Sequence, residues 1–281
     1  MRAGLLWLLW GCAGEGVDEQ VEPVVEDRRA LVIGVDGLRP DALAIADAPN
    51  LRRLMDEGVS SWTATTQLEV PPVSGPGWAT LLTGVDPSVH MVSGNNDLGD
   101  RSVAWPTIPQ RVRESGRSVS LVINWLGVLA LSSSLAYDEL AIGDDVAVGV
   151  DAEARVNAGD ALVWTHFNDV DSAGHATGFT PDNPGYVAEI EDVDAQIGPA
   201  LAAVAGRPAS ERWLVVLVTD HAGEGTSHDQ EIPSVQTIPA AIWHDGIAHV
   251  DLGAVHQRDL APTLLAWFGL ADPALPGEPW L

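Results

Sequence analysis

The sequence predicts an α/β fold, with a mostly parallel central sheet and helices on both faces. Three observations carry that prediction. Residues 30–35 and 213–218 are apolar runs without the alternation of a one-sided strand, the pattern of strands buried on both faces, and residues 160–167 (DALVWTHF) are a third strand candidate. Each run gives way to sequence that brings acids: Asp36, then Asp169 and Asp171, then Asp220. The 281 residues, 46% of them hydrophobic, suffice for one sizeable domain with a full core.

In chain order, residues 30–35 form the first strand. Residues 48–58 place Leu51, Leu54 and Met55 at helical spacing and stop at Gly58. Residues 60–66 alternate weakly and read as a strand. In the stretch EVPPVSGPGWATLLTG, residues 69–84, two prolines force an extended approach, and residues 78–82 suit a helix. Residues 86–100 read as a loop around Gly94, Asn95 and Asn96. A helix at 108–116, a strand at 118–124 and an irregular segment or edge strand at 138–148 follow. The stretch 101–155 carries no chemical motif and reads as an insertion or the sheet's outer region, with Trp125 and Tyr137 as possible pocket walls. Residues 186–205 make an amphipathic helix through Ile190, Val193, Ile197, Leu201 and Val204. A short strand at 239–243 and a helix at 258–268 close the chain.

The N-terminus, MRAGLLWLLWGCAGEG, has one Arg, a short apolar run and then Gly11-Cys12. It is expected to be a bacterial signal peptide of the lipoprotein type, residues 1–11, cleaved before a lipid-bearing Cys12, since the apolar run is too short to span a bilayer. Residues 12–29 would be an acidic spacer and residues 30–281 the folded domain, placed in the bacterial cell envelope, lipid-anchored or secreted. Cys12 is the only cysteine, so a disulfide or thiolate metal site within the domain is excluded. Net charge is −26, and all 14 basic residues are Arg. Such a surface repels polyanions, so binding to nucleic-acid polymers is not expected. A small anionic substrate needs local cations to outweigh the field.

The acid-bearing ends also carry imidazoles. Asp171 and His175 are four residues apart, Asp220 and His221 are adjacent, and His228 follows across a glycine loop. Oxygen and nitrogen donors without thiolate suit zinc, and less well manganese or calcium. In open α/β sheets, ligands gather outside the carboxyl ends of strands. Ser74 stands at the start of the predicted helix. Alone, it reads most simply as an N-cap, since serine caps are common. With the helix dipole beside its oxygen and metal ligands elsewhere, it also reads as a nucleophile.

The pieces IGVDGLRPDAL (33–43), PPVSGPGWATLLTG (71–84), DVDSAGHATGF (169–179), LVTDHAGEGTSH (217–228) and DLAPTLLAWFGL (259–270) together resemble the type I phosphodiesterase/nucleotide pyrophosphatase branch of the alkaline phosphatase superfamily. The resemblance implies an alkaline phosphatase-like sandwich holding two divalent metals, usually zinc. Asp36, Asp220, His221 and the Ser74 oxygen would bind one metal; Asp171, His175 and His228 would bind the other. Ser74 would attack a small phosphate ester and form a covalent phosphoryl intermediate. The two ions, about 4 Å apart, would hold the attacking and leaving oxygens.

Gly77 stands where relatives carry an Asn that donates to the phosphoryl oxygen. Gly75, Asn95, Asn96 or backbone N–H groups are the candidates to replace it. Ala222 and Asp229 replace glycines without removing a ligand. His256 rivals His228 as third histidine, with His228 preferred on motif position. His90, His166, His244 and His249 are expected to be structural or superficial. Sulfatases of the same superfamily use a C/S-x-P-x-R motif, whereas Ser74-Gly75-Pro76-Gly77-Trp78 has Trp for the Arg, so an unmodified hydroxyl is expected. The rival readings are a phosphomonoesterase or sulfoester hydrolase on the same scaffold, and a catalytically idle metal-binding lipoprotein.

Overall fold

A computed structural model describes residues 27–99 and 105–281. Its centre is a sheet of eight strands: β1 (Asp27–Val35), β2 (Val59–Thr65), β3 (Val119–Ile123), β4 (Glu139–Ile142), β5 (Leu162–Phe167), β6 (Glu211–Val218), β7 (Thr237–Trp243) and β8 (Val250–Asp251), ordered β4-β3-β5-β1-β6-β7-β2-β8. The pairings from β4 across to β6 are parallel; β7 runs antiparallel to both β6 and β2, and β8 is parallel to β2. The expected α/β class therefore holds.

The three non-alternating runs are the sheet's centre. β1 lies between β5 and β6, with Ile33 opposite Thr165 on one side and Leu217 on the other. Alternate residues feed two separate cores. Ala30, Val32, Trp164 and Val216 pack with Trp78, Leu81, Val112 and Leu264 on one face. Leu31, Ile33, Val163 and Val215 pack with Leu51, Met55, Val156 and Ile197 on the other. Helices thus cover both faces. Pro184–Ala205 is the long amphipathic helix, two residues longer at its start than its apolar spacing marked because Asn183 caps Gly185 and Pro184 opens the first turn.

Two boundaries differ from expectation. β1 begins at Asp27, so residues 27–29 pair with β6 instead of belonging to the acidic spacer. The segment read as irregular or edge strand at 138–148 divides in two: β4 is a short edge strand, and the helix Asp145–Ala158 follows, capped by the Asp144 side chain on the Ala147 N–H. Its Val146 and Val150 face solvent, which hides the helical period from an apolar pattern. The proposed signal peptide, Cys12 and most of the spacer lie outside the described residues. Among the described residues no helix is long and apolar enough to cross a membrane.

Candidate metal centre and nucleophile

Because β5, β1 and β6 are neighbours running the same way, their carboxyl ends open side by side. Asp36 extends β1 by one ladder bond, its N–H donating to the Phe167 carbonyl at 2.9 Å. Gly37 then turns the chain at φ +70°, and a Cβ there would meet Asp171 at 2.9–3.0 Å. Only glycine allows both the turn and that approach. Its N–H donates to Asp220 Oδ1 at 3.3 Å.

After β5, the helix Asp169–Thr177 places Asp171 and His175 one turn apart on the same face. Buried Asp145 anchors that helix, its carboxylate accepting the N–H groups of Asn168 and Asp169 at 2.9 Å. Arg39 joins the loops beyond, donating to the Gly223 carbonyl at 2.6 Å and the Phe179 carbonyl at 3.3 Å.

Two triplets of donors result, with ligand atoms within 4.8 Å of one another: Asp36, Asp220 and His221, and Asp171, His221 and His228. His175 joins the second group, its Nε2 lying 3.4 Å from Asp171 Oδ2 and 3.0 Å from His228 Nε2. The tautomers decide how to read these contacts. Each imidazole donates its Nδ1–H to a backbone carbonyl: His221 to Ala222 at 3.0 Å, His228 to Pro72 at 3.1 Å, His175 to Thr226 at 2.9 Å. The neutral rings then present bare Nε2 lone pairs to each other and to carboxylates. Such contacts repel unless a cation or proton lies between them, and a carbonyl on the far nitrogen is the usual orientation of a metal-binding histidine.

The carboxylates give the same account. Asp36 Oδ1, Asp171 Oδ1 and Asp220 Oδ2 are buried and have no hydrogen-bond partner among the described residues. Burial works against ionised Asp36, but hydrogen bonds from His166 Nε2 (3.1 Å) and Trp78 Nε1 (2.9 Å) hold its carboxyl below the usual range. Burial and the charge of Asp36 push Asp171 up to about 9 and raise Asp220 well above a normal carboxylate. Burial, with repulsion from His228, pushes His221 down to about 3, and burial lowers His228 as well. Three buried carboxylates thus cannot share this space ionised without added positive charge, and the donor set fits divalent metal.

Ser74 is the first residue of the helix Ser74–Thr83, and Val73, not Ser74, is its cap. The N-cap reading therefore fails: the hydroxyl is 3.3 Å from His221 Nε2 and can donate to that lone pair. Gly77 seats the helix against the end of β6, where a Cβ would meet Asp220 Cβ at 2.8 Å and its carbonyl oxygen at 2.9 Å.

The other sequence candidates divide. Asn95 and Asn96 are both exposed on one turn, and Asn95 alone contacts the helix start, its Oδ1 accepting the Gly75 N–H at 2.6 Å. His256 instead caps a short 3-10 turn, its Nδ1 accepting the Arg258 N–H, and belongs to neither triplet. His90 bridges Thr80 and Val92 inside the fold, and His244 stacks on Trp267. Tyr137 is buried against Ser132, and Trp125 lies 6.2 Å from the His166 ring. His166 departs from its expected role, since it is fully buried on Asp36. Sequence reasoning missed Trp78, His166 and Asp145. The position of His166 at the end of an apolar strand beside the acids was the available signal.

Comparison with known proteins follows this geometry. The sequence model of the family "Type I phosphodiesterase / nucleotide pyrophosphatase" matches residues 30–258. The chain belongs to that family. The match takes in four of the five motifs, the sheet from Ala30 onward and both triplets, and stops just before the fifth motif at residues 259–270. A phosphopentomutase of Methylobacterium radiotolerans is 31% identical over 183 residues, covering 61% of this chain. The chain spans 41% of that relative's length. Among solved structures, a 2-O GAG sulfatase matches with TM-score 0.70 at 16% identity, covering 89% of this chain and 72% of the sulfatase. Murine ectonucleotide pyrophosphatase/phosphodiesterase 5 matches with TM-score 0.66 at 15% identity, covering 89% and 98%. An inactive variant of the murine protein has been solved in complex with AMP. These structures share the alkaline phosphatase-like fold with this family member.

Proposed function

We propose that this chain hydrolyses phosphodiester or pyrophosphate bonds of small substrates through a Ser74 phosphoryl intermediate. The observation that carries the reading is the Ser74 hydroxyl, 6% exposed and free of capping, set on His221, the residue that both Asp and His triplets share. Asp36, Asp220 and His221 would hold one divalent ion and Asp171, His175 and His228 the other, zinc being the best match to the donors. When bound, the ions would favour the ionised Ser74 hydroxyl and neutralise phosphoryl charge.

The chain's own groups do the rest. Ser74 Oγ, its proton lost to solvent, attacks phosphorus, and the bond to the leaving oxygen breaks as that oxygen takes up a proton. Water then attacks the same phosphorus, releases the monoester and restores the hydroxyl. Trp78 and His166 keep Asp36 Oδ1 aimed inward, and the carbonyl partners keep three Nε2 atoms there. Trp78 at the position of the sulfatase Arg supports an unmodified serine. The murine relative's complex with AMP supports a nucleotide-like product, a point said of that protein and proposed for this one.

The test is zinc-loaded protein against bis(p-nitrophenyl) phosphate, p-nitrophenyl phosphate and p-nitrophenyl sulfate, with Ser74→Ala beside it. Preference for the diester, lost in the variant, is expected. Preference for either monoester moves the assignment to the rival hydrolases, and wild type no faster than Ser74→Ala ends the enzyme reading. We further propose that the mature chain is held in the cell envelope through a lipid on Cys12. A Cys12→Ser chain that still enters the membrane fraction would exclude this.

A further inference from the structure

The turn that follows β1 carries Asp36 and then Gly37, at φ +70° and with the most backbone freedom of any residue type. What holds that turn decides where Asp36 faces. The Asp36 N–H still donates into the sheet, but the next three donate to side chains: Gly37 to Asp220 Oδ1 at 3.3 Å, Leu38 to Thr219 Oγ1 at 3.2 Å and Arg39 to the Tyr186 hydroxyl at 3.0 Å. The same hydroxyl donates to the Gly37 carbonyl at 2.5 Å. A phenol has one proton to give and lone pairs to accept with, so a single oxygen closes the turn at both ends, from 149 residues further along the chain. Burial pushes the phenol above its ordinary pKa, so that proton is kept.

Tyr186 is fully buried in the first turn of the helix Pro184–Ala205, and its ring has a second use. Phe179 packs edge to face against it, with centroids 5.6 Å apart, and presents the same ring to His175 at 5.3 Å and to His228 at 6.0 Å. Gly174 and Gly223 make room for the Phe179 ring, since a Cβ at either would stand 2.2–2.3 Å from it. One hydrogen bond at Nδ1 leaves an imidazole able to tilt, and the Phe179 ring limits that tilt for both histidines. Tyr186 therefore braces what carries the ligands of both ions, from one position on one helix.

We propose that Tyr186 is a positioning residue for both halves of the metal centre. Its hydroxyl sets the aim of Asp36 through the Gly37 turn, and its ring, through Phe179, sets the Nε2 atoms of His175 and His228. The inference rests on the two sets of Asp and His holding metal. The competing role is that of a core side chain, which contributes stability and nothing else.

Three variants separate these roles. Tyr186→Phe keeps the ring and removes the oxygen, Phe179→Leu removes the ring beside the histidines and keeps the oxygen, and Ile197→Val trims a fully buried residue of the same helix as a control. Zinc affinity is measured by chelator competition well below each Tm, and coordination by the visible absorption of the cobalt-substituted proteins. Tm falls under either role, so it does not decide. The proposal expects Tyr186→Phe to bind one of two zinc ions about 10-fold more weakly and Phe179→Leu to weaken the other about as much. Both should alter the cobalt absorption, and Ile197→Val should change neither property. Affinity and absorption equal to wild type in either Tyr186→Phe or Phe179→Leu would overturn it, as would the same losses in Ile197→Val. Failure of the metal reading would appear separately, as wild type that takes up no zinc, and failure of the hydrolase reading as zinc-bound wild type no faster than Ser74→Ala.

Discussion

Placing at position 77 the Asn that the family resemblance implies there should damage this protein. In a chain lacking that side chain, Gly77→Asn is the obvious repair, and the structure predicts the opposite outcome. A Cβ at 77 would stand 2.8 Å from Asp220 Cβ and 2.9 Å from its carbonyl oxygen, before any amide is added. Optimal carbon contacts are about 3.5–4.0 Å, so the helix start or the end of β6 must yield by roughly 0.7 Å or more. Asp220 is fully buried, and Thr66 Oγ1 donates to its carbonyl at 2.6 Å, so the helix is the freer partner. Overpacking of this kind costs about 1–3 kcal/mol, or roughly 2–12 °C in Tm for a domain near this size. The same movement carries Ser74, and a displacement near 1 Å costs about 100-fold in rate. Thermal melts and kcat/KM on bis(p-nitrophenyl) phosphate, with Gly77→Ala to separate the Cβ from the amide, test this. Gly77→Asn with unchanged Tm and equal or higher kcat/KM would refute the packing argument.

Two further outcomes are expected. Trp78→Phe and His166→Ala each remove one of two donors on Asp36 Oδ2, and each should weaken zinc binding about 10–100-fold by chelator competition; unchanged affinity in both would show that Asp36 needs no such support. Metal-free protein should lose stability as pH rises from 7.5 to 9. Folded Asp171, raised to about 9, and folded Asp220 hold protons that the unfolded chain has already released, whereas His221 and His228, with lowered values, are neutral in both states over that window. The slope is about 1.4 kcal/mol per pH unit for each proton retained, and saturating zinc should abolish it. A metal-free Tm that is flat or rises across the window would contradict the clustering of carboxylates.

The sequence made legible whatever is written in its own spacing. Residues 30–35 and 213–218 announced central strands because both faces are buried and no polar residue interrupts the run, and residues 160–167 because their apolar core, Ala161–Trp164, does not alternate. Asp36, Asp171, His175, Asp220 and His221 stood out because parallel strands open at one edge, so acids after separate strands meet there. The helix Asp145–Ala158 stayed hidden because solvent-facing Val146 and Val150 blur its period. Ser74 looked like a cap because composition does not reveal whether the cap falls one residue earlier, on Val73.

What the sequence concealed is the support around the ligands, and the reason is physical. Trp78 reaches Asp36 only because Gly34 leaves room for the indole, whose ring lies 2.6 Å from where a Gly34 Cβ would be. His166 lies in a strand beside apolar neighbours, and its partner is 130 residues away. Asp145 caps the helix of Asp171 from another element. None of these relations has a spacing rule, because each depends on which strands become neighbours. Yet they determine the chemistry: with Asp36 Oδ2 occupied by two fixed donors, only Oδ1 remains to face the opposing lone pairs of His221 and Asp220. The same carboxylates that make a protein of net charge −26 an unpromising host for an anion become, once aimed this way, the means of gathering the cations that a phosphoryl group requires.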